Sequence, residues 1–353
     1  MKLNQKLKDI IISPESTLLS ALKRMDEVRK KLLLVFRQDK FIGLLSIGDL
    51  QRAIINSIDL NTLISEVIRK DYIVARPENT VEEVKKMMLA IRAEFMPVVS
   101  DIGELDQIYF WEDLFDAAEQ APVKQFNLPV VVMAGGFGTR LKPLTNVLPK
   151  PLIPIGEKTM LEEIFDRFAK HGCDNFFISV NYKAELIEYY LSSRNLPYLL
   201  TFFKEEKPMG TAGSLTLLKG KIKETLIVSN CDILIDQDYS EILDYHHHHK
   251  NEITIVAALK HYPIPYGIIE SGDNGQLIDL KEKPEMTFKI NSGMYILEPH
   301  LLDEIPDDEF FHITQLIDKV KDRGGNIGVF PISEKSWKDV GLLSEYISSL
   351  KEY

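Results

Sequence analysis

Residues 133–145 of the chain read Met-Ala-Gly-Gly-Phe-Gly-Thr-Arg-Leu-Lys-Pro-Leu-Thr. The apolar run at 130–133 leads into this stretch and predicts a buried strand. Glycines after such a strand let the backbone turn sharply and bring its N–H groups against phosphate oxygens. The stretch therefore predicts a strand followed by a phosphate-binding loop. The residues expected to line that loop are Ala134, Gly135, Gly136, Gly138 and Thr139.

Two cations accompany the loop. Arg140 can donate to two phosphate oxygens at once, and Lys150 supplies a second positive charge. Two other phosphate motifs do not fit, because a dinucleotide fingerprint needs a third glycine where Leu141 stands and a Walker A loop needs Gly-Lys-Ser/Thr. The structural alternative is a plain glycine-rich turn, and the length of the run, about twenty positions, argues against it. These residues favour a site that handles a triphosphate.

The same run resembles the signature of the sugar nucleotidyltransferases, which join a nucleoside triphosphate to a sugar 1-phosphate and release pyrophosphate. The resemblance extends from about Leu128 to the C-terminus, because further family landmarks follow in order. They are Met209-Gly-Thr-Ala-Gly-Ser-Leu, Val228-Ser-Asn-Cys-Asp, Tyr266-Gly-Ile-Ile-Glu, Glu282-Lys-Pro, Asn291-Ser-Gly-Met-Tyr and Trp337-Lys-Asp-Val-Gly. The resemblance implies an α/β, Rossmann-like domain with a mostly parallel mixed sheet. Alternating strand and helix signals agree, and ligands should then gather at the carboxyl ends of the strands.

The resemblance also implies a metal site and a third cation. Asp232 and Asp339 match the two aspartates with which the family holds Mg²⁺, although a lone strand-end aspartate is as often a turn cap. Lys283 is expected to bind the sugar phosphate. With Arg140 and Lys150 it would hold two repelling polyanions together, so that a sugar-phosphate oxygen attacks the α-phosphorus and pyrophosphate leaves. The nucleophile is already an anion, so no general base is expected.

Other family positions are expected to contact the substrates. The small residues of the second landmark should lie against the base and ribose, with a helix N-terminus capped by Thr211 as the structural alternative. These residues are Gly210, Thr211, Ala212 and Gly213, and the expected sugar contacts are Glu282, Asn291 and Gly293. Glu206 is either a sugar or base contact or a solvated charge, and Glu298 is considered as a sugar-hydroxyl acceptor.

The first third of the chain contains an internal repeat of about 63 residues. Pro14-Glu-Ser-Thr-Leu matches Pro77-Glu-Asn-Thr-Val, and each is followed by an amphipathic helix pattern and a buried-strand pattern. The repeat resembles a pair of CBS motifs, a module with clefts for adenine nucleotides. In that family a Ser/Thr and an Asp hold the ribose. The residues at these positions are Ser46 and Asp49 in the first repeat, and Asp113 in the second, which has Tyr109 or Phe110 in place of the hydroxyl.

The predicted organisation is a tandem CBS module at 1–120, a linker at 121–127 and a nucleotidyltransferase domain at 128–353. The CBS module binds an adenine nucleotide in its first cleft, or else it is a ligand-free dimerisation or docking module, because fold resemblance alone does not imply a ligand. A homodimer is the default expectation. No hexapeptide repeats follow the transferase landmarks, so a fused acetyltransferase is not expected.

The arrangement with the CBS module first looks most like guanylyltransferases that make a GDP-amino sugar, with GTP and glucosamine 1-phosphate as substrates for legionaminic acid or surface glycan synthesis. Two alternatives stay open. One is a uridylyl-, thymidylyl- or cytidylyltransferase acting on another hexose or heptose 1-phosphate, since base choice depends on a few pocket contacts. The other is a nucleotide-sensing protein that has lost catalysis, against which the retained cations and carboxylates argue.

Composition bounds the remaining function classes. The formal charge is −11, and an acidic surface repels nucleic acid and anionic lipid. No signal peptide or membrane-spanning run of about 20 apolar residues is seen, so a soluble protein without a membrane partner is expected. Cys173 and Cys231 form no Cys-x-x-Cys pair, which predicts a reduced, cytoplasmic compartment. The run His246–His249 is interpreted as structural.

Overall fold

The computed structural model describes residues 5–115 and 123–349. Within it the chain forms two compact units, Met1–Val123 and Lys124–Tyr353. Residues 116–122, which include the start of the predicted linker, lie outside the described residues. Residues 124–127 of that linker belong to the second unit: Phe126 N donates to His171 O, and Gln125 Nε2 donates to Lys170 O. The linker therefore ends before Lys124, because the backbone after it packs on the end of a helix.

The first unit contains the internal repeat. Its helices are α1 (Gln5–Asp9), α2 (Leu18–Val28), α3 (Ile47–Ile55), α4 (Ile64–Val67), α5 (Val81–Ile91) and α6 (Trp111–Leu114). Its strands are β1 (Ile11–Ile12), β2 (Leu32–Arg37), β3 (Lys40–Ser46), β4 (Phe95–Val99) and β5 (Leu105–Phe110). They form a three-stranded sheet, β1-β2-β3, and a two-stranded sheet, β4-β5.

The two repeats begin alike and end differently. Helices α2 and α5 are each 11 residues long, have a threonine N-cap, and end at a left-handed arginine, Arg29 or Arg92. Each is followed by an antiparallel hairpin. The closing helix is nine residues long in α3 but four in α6, where Phe110 occupies the N-cap position that Ser46 holds in the first repeat.

The second unit is built around a larger sheet. Its strands are β6 (Val130–Met133), β7 (Pro154–Ile155), β8 (Lys158–Thr159), β9 (Asn175–Val180), β10 (Leu199–Lys204), β11 (Leu226–Asn230), β12 (Ile233–Ile235), β13 (Ile253–Pro263), β14 (Ile268–Ser271), β15 (Leu277–Lys281), β16 (Glu285–Leu297), β17 (Ile327–Ile332) and β18 (Trp337–Asp339). Its helices are α7 (Met160–Ala169), α8 (Ala184–Ser193), α9 (Tyr239–His248), α10 (Ile313–Asp322) and α11 (Leu343–Ser349).

The main sheet has seven strands in the order β10-β9-β6-β11-β16-β13-β17. Strands β10, β9, β6 and β11 run parallel, β16 is antiparallel to both neighbours, and β13 pairs in parallel with β17. This confirms the predicted mixed, mostly parallel α/β fold. The registers align the ends of four parallel strands, so Met133, Val180, Lys204 and Asn230 stand at one edge.

One member of the histidine run, His246, has the structural role that was expected. Helix α9 continues through His248, and the His246 ring is buried between Thr254 Oγ1 at 2.8 Å and Glu298 Oε1 at 3.0 Å. Burial lowers the pKa of His246. Glu298 also accepts from Thr225 Oγ1, at the end of β16 farthest from the Asn230 edge. The expectation of a sugar contact at Glu298 is therefore wrong, because its carboxylate serves this internal network.

Candidate active site

The carboxyl ends of the parallel strands carry the polar residues that the sequence singled out. The loop after β6, the Asn181–Lys183 turn after β9 and Cys231–Asp232 after β11 all begin at this edge. A further segment reaches the same place from far along the chain: β18 pairs antiparallel with β12, which sets Asp339 opposite Ile233. Sheet topology thus brings Asp232 and Asp339 together across more than a hundred residues.

Four predicted charged side chains meet here. Lys150 Nζ donates to Asp232 Oδ2, and Arg140 Nη2 lies 3.4 Å from the same oxygen. Arg140 Nη1 lies 3.9 Å from Asp339 Oδ2. The Asp232 side chain is 7% exposed and that of Arg140 is 57% exposed. The cluster therefore has a buried carboxylate at its base and a guanidinium at its mouth.

Gly341 shapes the space between the two carboxylates. A Cβ on this glycine would lie 2.1 Å from Asp232 Oδ2 and 2.9 Å from Asp339 Oδ1. Its N–H donates to Asp339 Oδ1 at 2.9 Å. Only glycine fits at this position, because any side chain would enter the cradle formed by the two acids. The sequence landmark contained Gly341, but nothing in its spacing indicated this contact.

The phosphate loop has the open backbone that the glycines predict. Within the described part of the chain, no hydrogen-bond acceptor faces the N–H groups of residues 135–138. Gly138 is left-handed, with φ 63°. A Cβ on Gly135 would lie 2.9 Å from Glu205 Oε1, so close packing favours glycine at this position. Unpaired N–H groups in such a loop are suited to binding an anion.

Glu205 was missed by the sequence reasoning, which considered its neighbour Glu206. Glu206 is exposed, whereas Glu205 is 5% exposed. The Glu205 carboxylate accepts from the Ser179 hydroxyl and, at 3.2 Å, from Met209 N. It therefore ties the end of β9 to the Met209 turn, beside the phosphate loop. Ser179, a polar residue within the apolar run of β9, was the available signal.

The small residues after Met209 are explained differently from the prediction. Cβ atoms on Gly210 and Gly213 would lie 2.6 Å from Phe311 O and Glu309 O respectively. Thr211 Oγ1 accepts from Ile313 N at 3.0 Å, at the start of α10. Gly210 and Gly213 are thus small because the backbone near Phe311 packs against them. Thr211 caps α10, which lies about a hundred residues further along the chain. Contact of Ala212 and its neighbours with a nucleotide stays a prediction.

The predicted sugar contacts are only partly assembled. Gly293 lies at the Asn230 edge, where a Cβ would be 2.5 Å from Asn230 Nδ2. Asn291 uses its amide internally, donating to Tyr295 Oη at 2.8 Å and accepting from Gly293 N at 3.1 Å. Lys283 is exposed and makes no ion pair with any residue that the structure describes. Its role, and that of Glu282 beside Gly267, stay predictions.

Cysteine chemistry is not part of the site. Cys231 stands between Asn230 and Asp232 and is 5% exposed. Burial raises the pKa of its thiol to about 12 despite the nearby Lys150 ammonium, so the thiol stays protonated and is a poor nucleophile.

In the first unit, the predicted ribose residues are already engaged with each other. Asp49 Oδ2 accepts from Ser46 N at 2.8 Å and from Ser46 Oγ at 2.6 Å. Asp49 Oδ1 accepts from Arg69 Nε at 2.6 Å and from Arg52. In the second repeat, exposed Asp113 accepts from Phe110 N at 3.2 Å. A ribose in the first cleft would have to replace one of the Asp49 contacts.

Comparison with known proteins agrees with this architecture. Residues 129–353 match the nucleotidyl transferase family, and residues 7–56 and 64–119 match the CBS domain. Among the described residues, no helix is both long and apolar enough to cross a bilayer.

Curated relatives share about half of their length with this chain. The mannose-1-phosphate guanylyltransferase catalytic subunit beta of Dictyostelium discoideum is 34% identical over 185 residues, 50% of this chain and 52% of the relative. The mannose-1-phosphate guanyltransferase of Debaryomyces hansenii is 36% identical over 184 residues, 50% of this chain and 51% of the relative.

Solved structures agree as well. HddC from Yersinia pseudotuberculosis is 26% identical, with a TM-score of 0.51, and covers 64% of this chain and 99% of its own. The same protein in complex with GMP-PN matches at 24% identity, which supports the fold alone. The family match spans well over half of the chain, and the glycine loop, the two cations and the paired aspartates lie within it. The chain therefore belongs to the nucleotidyl transferase family and carries CBS domains ahead of its transferase domain.

Proposed function

We propose that this protein transfers a nucleotidyl group from a nucleoside triphosphate, GTP in particular, to a sugar 1-phosphate and releases pyrophosphate. One observation carries the proposal: Arg140, Lys150, Asp232 and Asp339 converge at the sheet edge where the open phosphate loop begins. Cations and carboxylates in one crevice suit a reaction between two phosphate groups, since each group needs its charge neutralised.

The residues present fit a divalent cation. Asp232 and Asp339 offer hard oxygen ligands, and Gly341 leaves the space between them free of a side chain. These two aspartates would hold Mg²⁺, which as a Lewis acid would neutralise phosphate charge when bound. Lone strand-end aspartates often cap turns, but the Gly341 cradle joins this pair into one site.

The chain's own residues supply positioning and charge. The N–H groups of residues 135–138 would hold the triphosphate, and Arg140, at the mouth, would neutralise the leaving pyrophosphate. Lys150 reaches the buried Asp232 and would neutralise the α-phosphate beside it. Lys283 would bind the sugar phosphate, with Glu282, Asn291 and Gly293 near the sugar. The sugar-phosphate oxygen is anionic, so attack needs no side-chain base.

The base and sugar are proposed from two different signals. The curated relatives are named guanylyltransferases, which favours GTP, and their names give mannose 1-phosphate as the acceptor. The motif form and the CBS-first arrangement favour an amino sugar, glucosamine 1-phosphate, as in legionaminic acid synthesis. We propose the amino sugar and keep mannose 1-phosphate as the second candidate.

The proposal also covers a ligand of the first unit, the oligomeric state and the cellular compartment. Asp49 and Ser46 would bind an adenine nucleotide by exchanging an arginine contact for ribose hydroxyls, and the chain would act as a homodimer. The free thiols of Cys173 and Cys231 are both buried, which suits the reducing cytoplasm.

Pyrophosphate release tests the proposal directly. Purified protein would be incubated with Mg²⁺, each of GTP, ATP, UTP, dTTP and CTP, and each of glucosamine, mannose and glucose 1-phosphate. We expect release with GTP and glucosamine 1-phosphate, and a rate lower by on the order of a hundredfold or more from the Asp232→Asn variant assayed in parallel. Release with another triphosphate would correct the base, and release with mannose 1-phosphate alone would correct the sugar. Absence of release from every pair, by a folded protein, would contradict the enzymatic proposal.

A further inference from the structure

The segment Pro143–Leu148 connects the two cations of the candidate site. Pro143 stands three positions after Arg140 and Leu148 two positions before Lys150, so the conformation of the segment sets how the guanidinium and the amine are spaced. Its outer side lines an apolar groove together with Ile153, Pro154 and Tyr346, and the side chains there are partly open to solvent: Val147 is 74% exposed, Leu144 39% and Leu148 38%.

The inner side is held to the phosphate loop by Thr145. This side chain is 2% exposed, and its Oγ1 donates to Gly138 O at 2.9 Å. Its methyl group lies 2.7 Å from where a Cβ of Gly138 would be. Thr145 thus contacts the left-handed glycine of the loop with both its polar and its apolar atoms.

The turn after β9 holds the same segment from a second direction. Lys183 Nζ donates to Asn146 O at 2.8 Å and to Val147 O at 2.7 Å, and Tyr182 Oη donates to Thr145 O at 3.3 Å. Three consecutive carbonyls at the end of a short 3₁₀ turn, which that turn leaves unpaired, therefore find their donors in two neighbouring side chains. The Tyr182 ring also lies 5.3 Å from that of Phe137 in the loop.

We propose that Thr145 and Lys183 are positioning residues for phosphate binding: they brace the Pro143–Leu148 segment and so fix Arg140 and Lys150 relative to the phosphate loop. The inference deepens the proposed function and rests on it for the identity of the bound polyanion. A misplacement of a charged group by about 1 Å can lower a rate on the order of a hundredfold, so a brace without substrate contact has a measurable effect.

Thr145→Val tests the brace, with Thr145→Ser as its matched partner. Valine keeps the shape and removes the hydroxyl, whereas serine keeps the hydroxyl. We expect Thr145→Val to weaken binding of inorganic pyrophosphate with Mg²⁺, measured by calorimetry, by on the order of tenfold. Turnover should fall similarly while KM for the sugar phosphate stays nearly unchanged. Thr145→Ser should stay within about twofold of the wild type on each measure.

Lys183→Ala provides an independent test, in case the buried position does not tolerate valine. We expect a similar weakening of pyrophosphate binding, and the control Lys204→Ala should show none. Lys204 is a lysine at the end of β10 whose amine donates to exposed Glu185 at 2.8 Å. Thermal melting of each variant should stay close to that of the wild type.

Three results would overturn the brace: unchanged pyrophosphate binding in Thr145→Val and Lys183→Ala, equal losses in Thr145→Val and Thr145→Ser, or losses that only follow a lowered melting temperature. Pyrophosphate binding needs no turnover. A wild type that binds pyrophosphate without releasing any from the substrate panel would refute the proposed reaction and still leave the brace testable.

Discussion

Each unit of this protein buries one aspartate beside two cations, and the two aspartates differ in what surrounds them. Asp49 meets Arg52 and Arg69 in the first unit, and Asp232 meets Arg140 and Lys150 in the second. Both side chains are about equally buried, at 6% and 7% exposed. Burial and ion pairing alone therefore do not distinguish a structural carboxylate from one that we assign to chemistry.

The neighbours of each carboxylate make the distinction. Both Asp49 oxygens are filled by the backbone and hydroxyl of Ser46 and by the two arginines, in a capping box that starts α3. Asp232 instead faces a second carboxylate across the space that Gly341 leaves open, and the loop N–H groups at the same edge have no acceptor among the described residues. A saturated carboxylate stabilises a helix end, whereas an unsaturated pair with nearby cations is suited to a metal and phosphates.

The largest effect that this comparison predicts is on turnover. Asp232→Asn should lower the rate of pyrophosphate release on the order of a hundredfold or more, because it removes charge from the proposed metal site. Asp49→Asn, the matched change in the other unit, should leave the rate without added nucleotide within about twofold. Steady-state assays of both variants check this. Comparable losses in the two would break the distinction between the carboxylates.

A smaller effect is expected from filling the space between the acids. Gly341→Ala places a methyl group against Asp232 Oδ2 and should cost about 1–3 kcal/mol of stability through overpacking, with a turnover loss on the order of tenfold. In an Asp232→Ala background the methyl group has room, so the same change should cost much less stability. Denaturant unfolding of the wild type, the two single variants and the double variant completes this double-mutant cycle. Equal stability costs in both backgrounds would show that the contact is unimportant.

The smallest effect concerns acid stability of the first unit. Burial acts to raise the pKa of Asp49, but hydrogen bonds from Ser46 and the charges of Arg69 and Arg52 outweigh it, so the pKa is lowered. A carboxyl with a lowered folded-state pKa adds stability above its unfolded pKa of about 3.9, and this is lost as pH falls through the folded value. We expect Asp49→Asn to destabilise the first unit at pH 7 by about 2 kcal/mol.

Acidification separates this account from a simple packing loss. The penalty of Asp49→Asn should shrink as pH falls below about 4, because the unfolded wild type then binds a proton that folded Asp49, with its lowered pKa, takes up only at lower pH. Trp111 fluorescence in a Trp337→Phe background reports on the first unit, since the chain has two tryptophans. A penalty that stays constant from pH 7 to pH 3 would mean that the Asp49 charge adds nothing.

Local pattern was enough to predict much of this molecule. The apolar run before Gly135 and the repeat at Pro14 and Pro77 each depend on neighbouring residues, and the corresponding elements are present. Asp232 and Asp339 could be paired only through family resemblance, because the strand pairing that joins them spans more than a hundred residues.

Contacts that depend on topology could not be predicted. Gly341 is required by two carboxylates, and Gly210 and Gly213 by the backbone near Phe311, all of them distant in sequence or on other elements. Glu205 and Glu206 differ by one position along the chain after β10, and only the strand's orientation decides which one is buried. Lys183 gave no signal because its acceptors are backbone carbonyls, which no sequence pattern identifies.

The central claim is that cations at this sheet edge hold two polyanions for reaction, and Lys150 tests it most directly. The measurement is the single-turnover rate of pyrophosphate release with GTP and the sugar 1-phosphate at saturating concentrations, for Lys150→Ala beside Lys158→Ala. Lys158 is an exposed lysine paired with Asp166. We predict a loss on the order of a hundredfold for Lys150→Ala and almost none for Lys158→Ala. A Lys150→Ala rate close to that of the wild type would contradict the account.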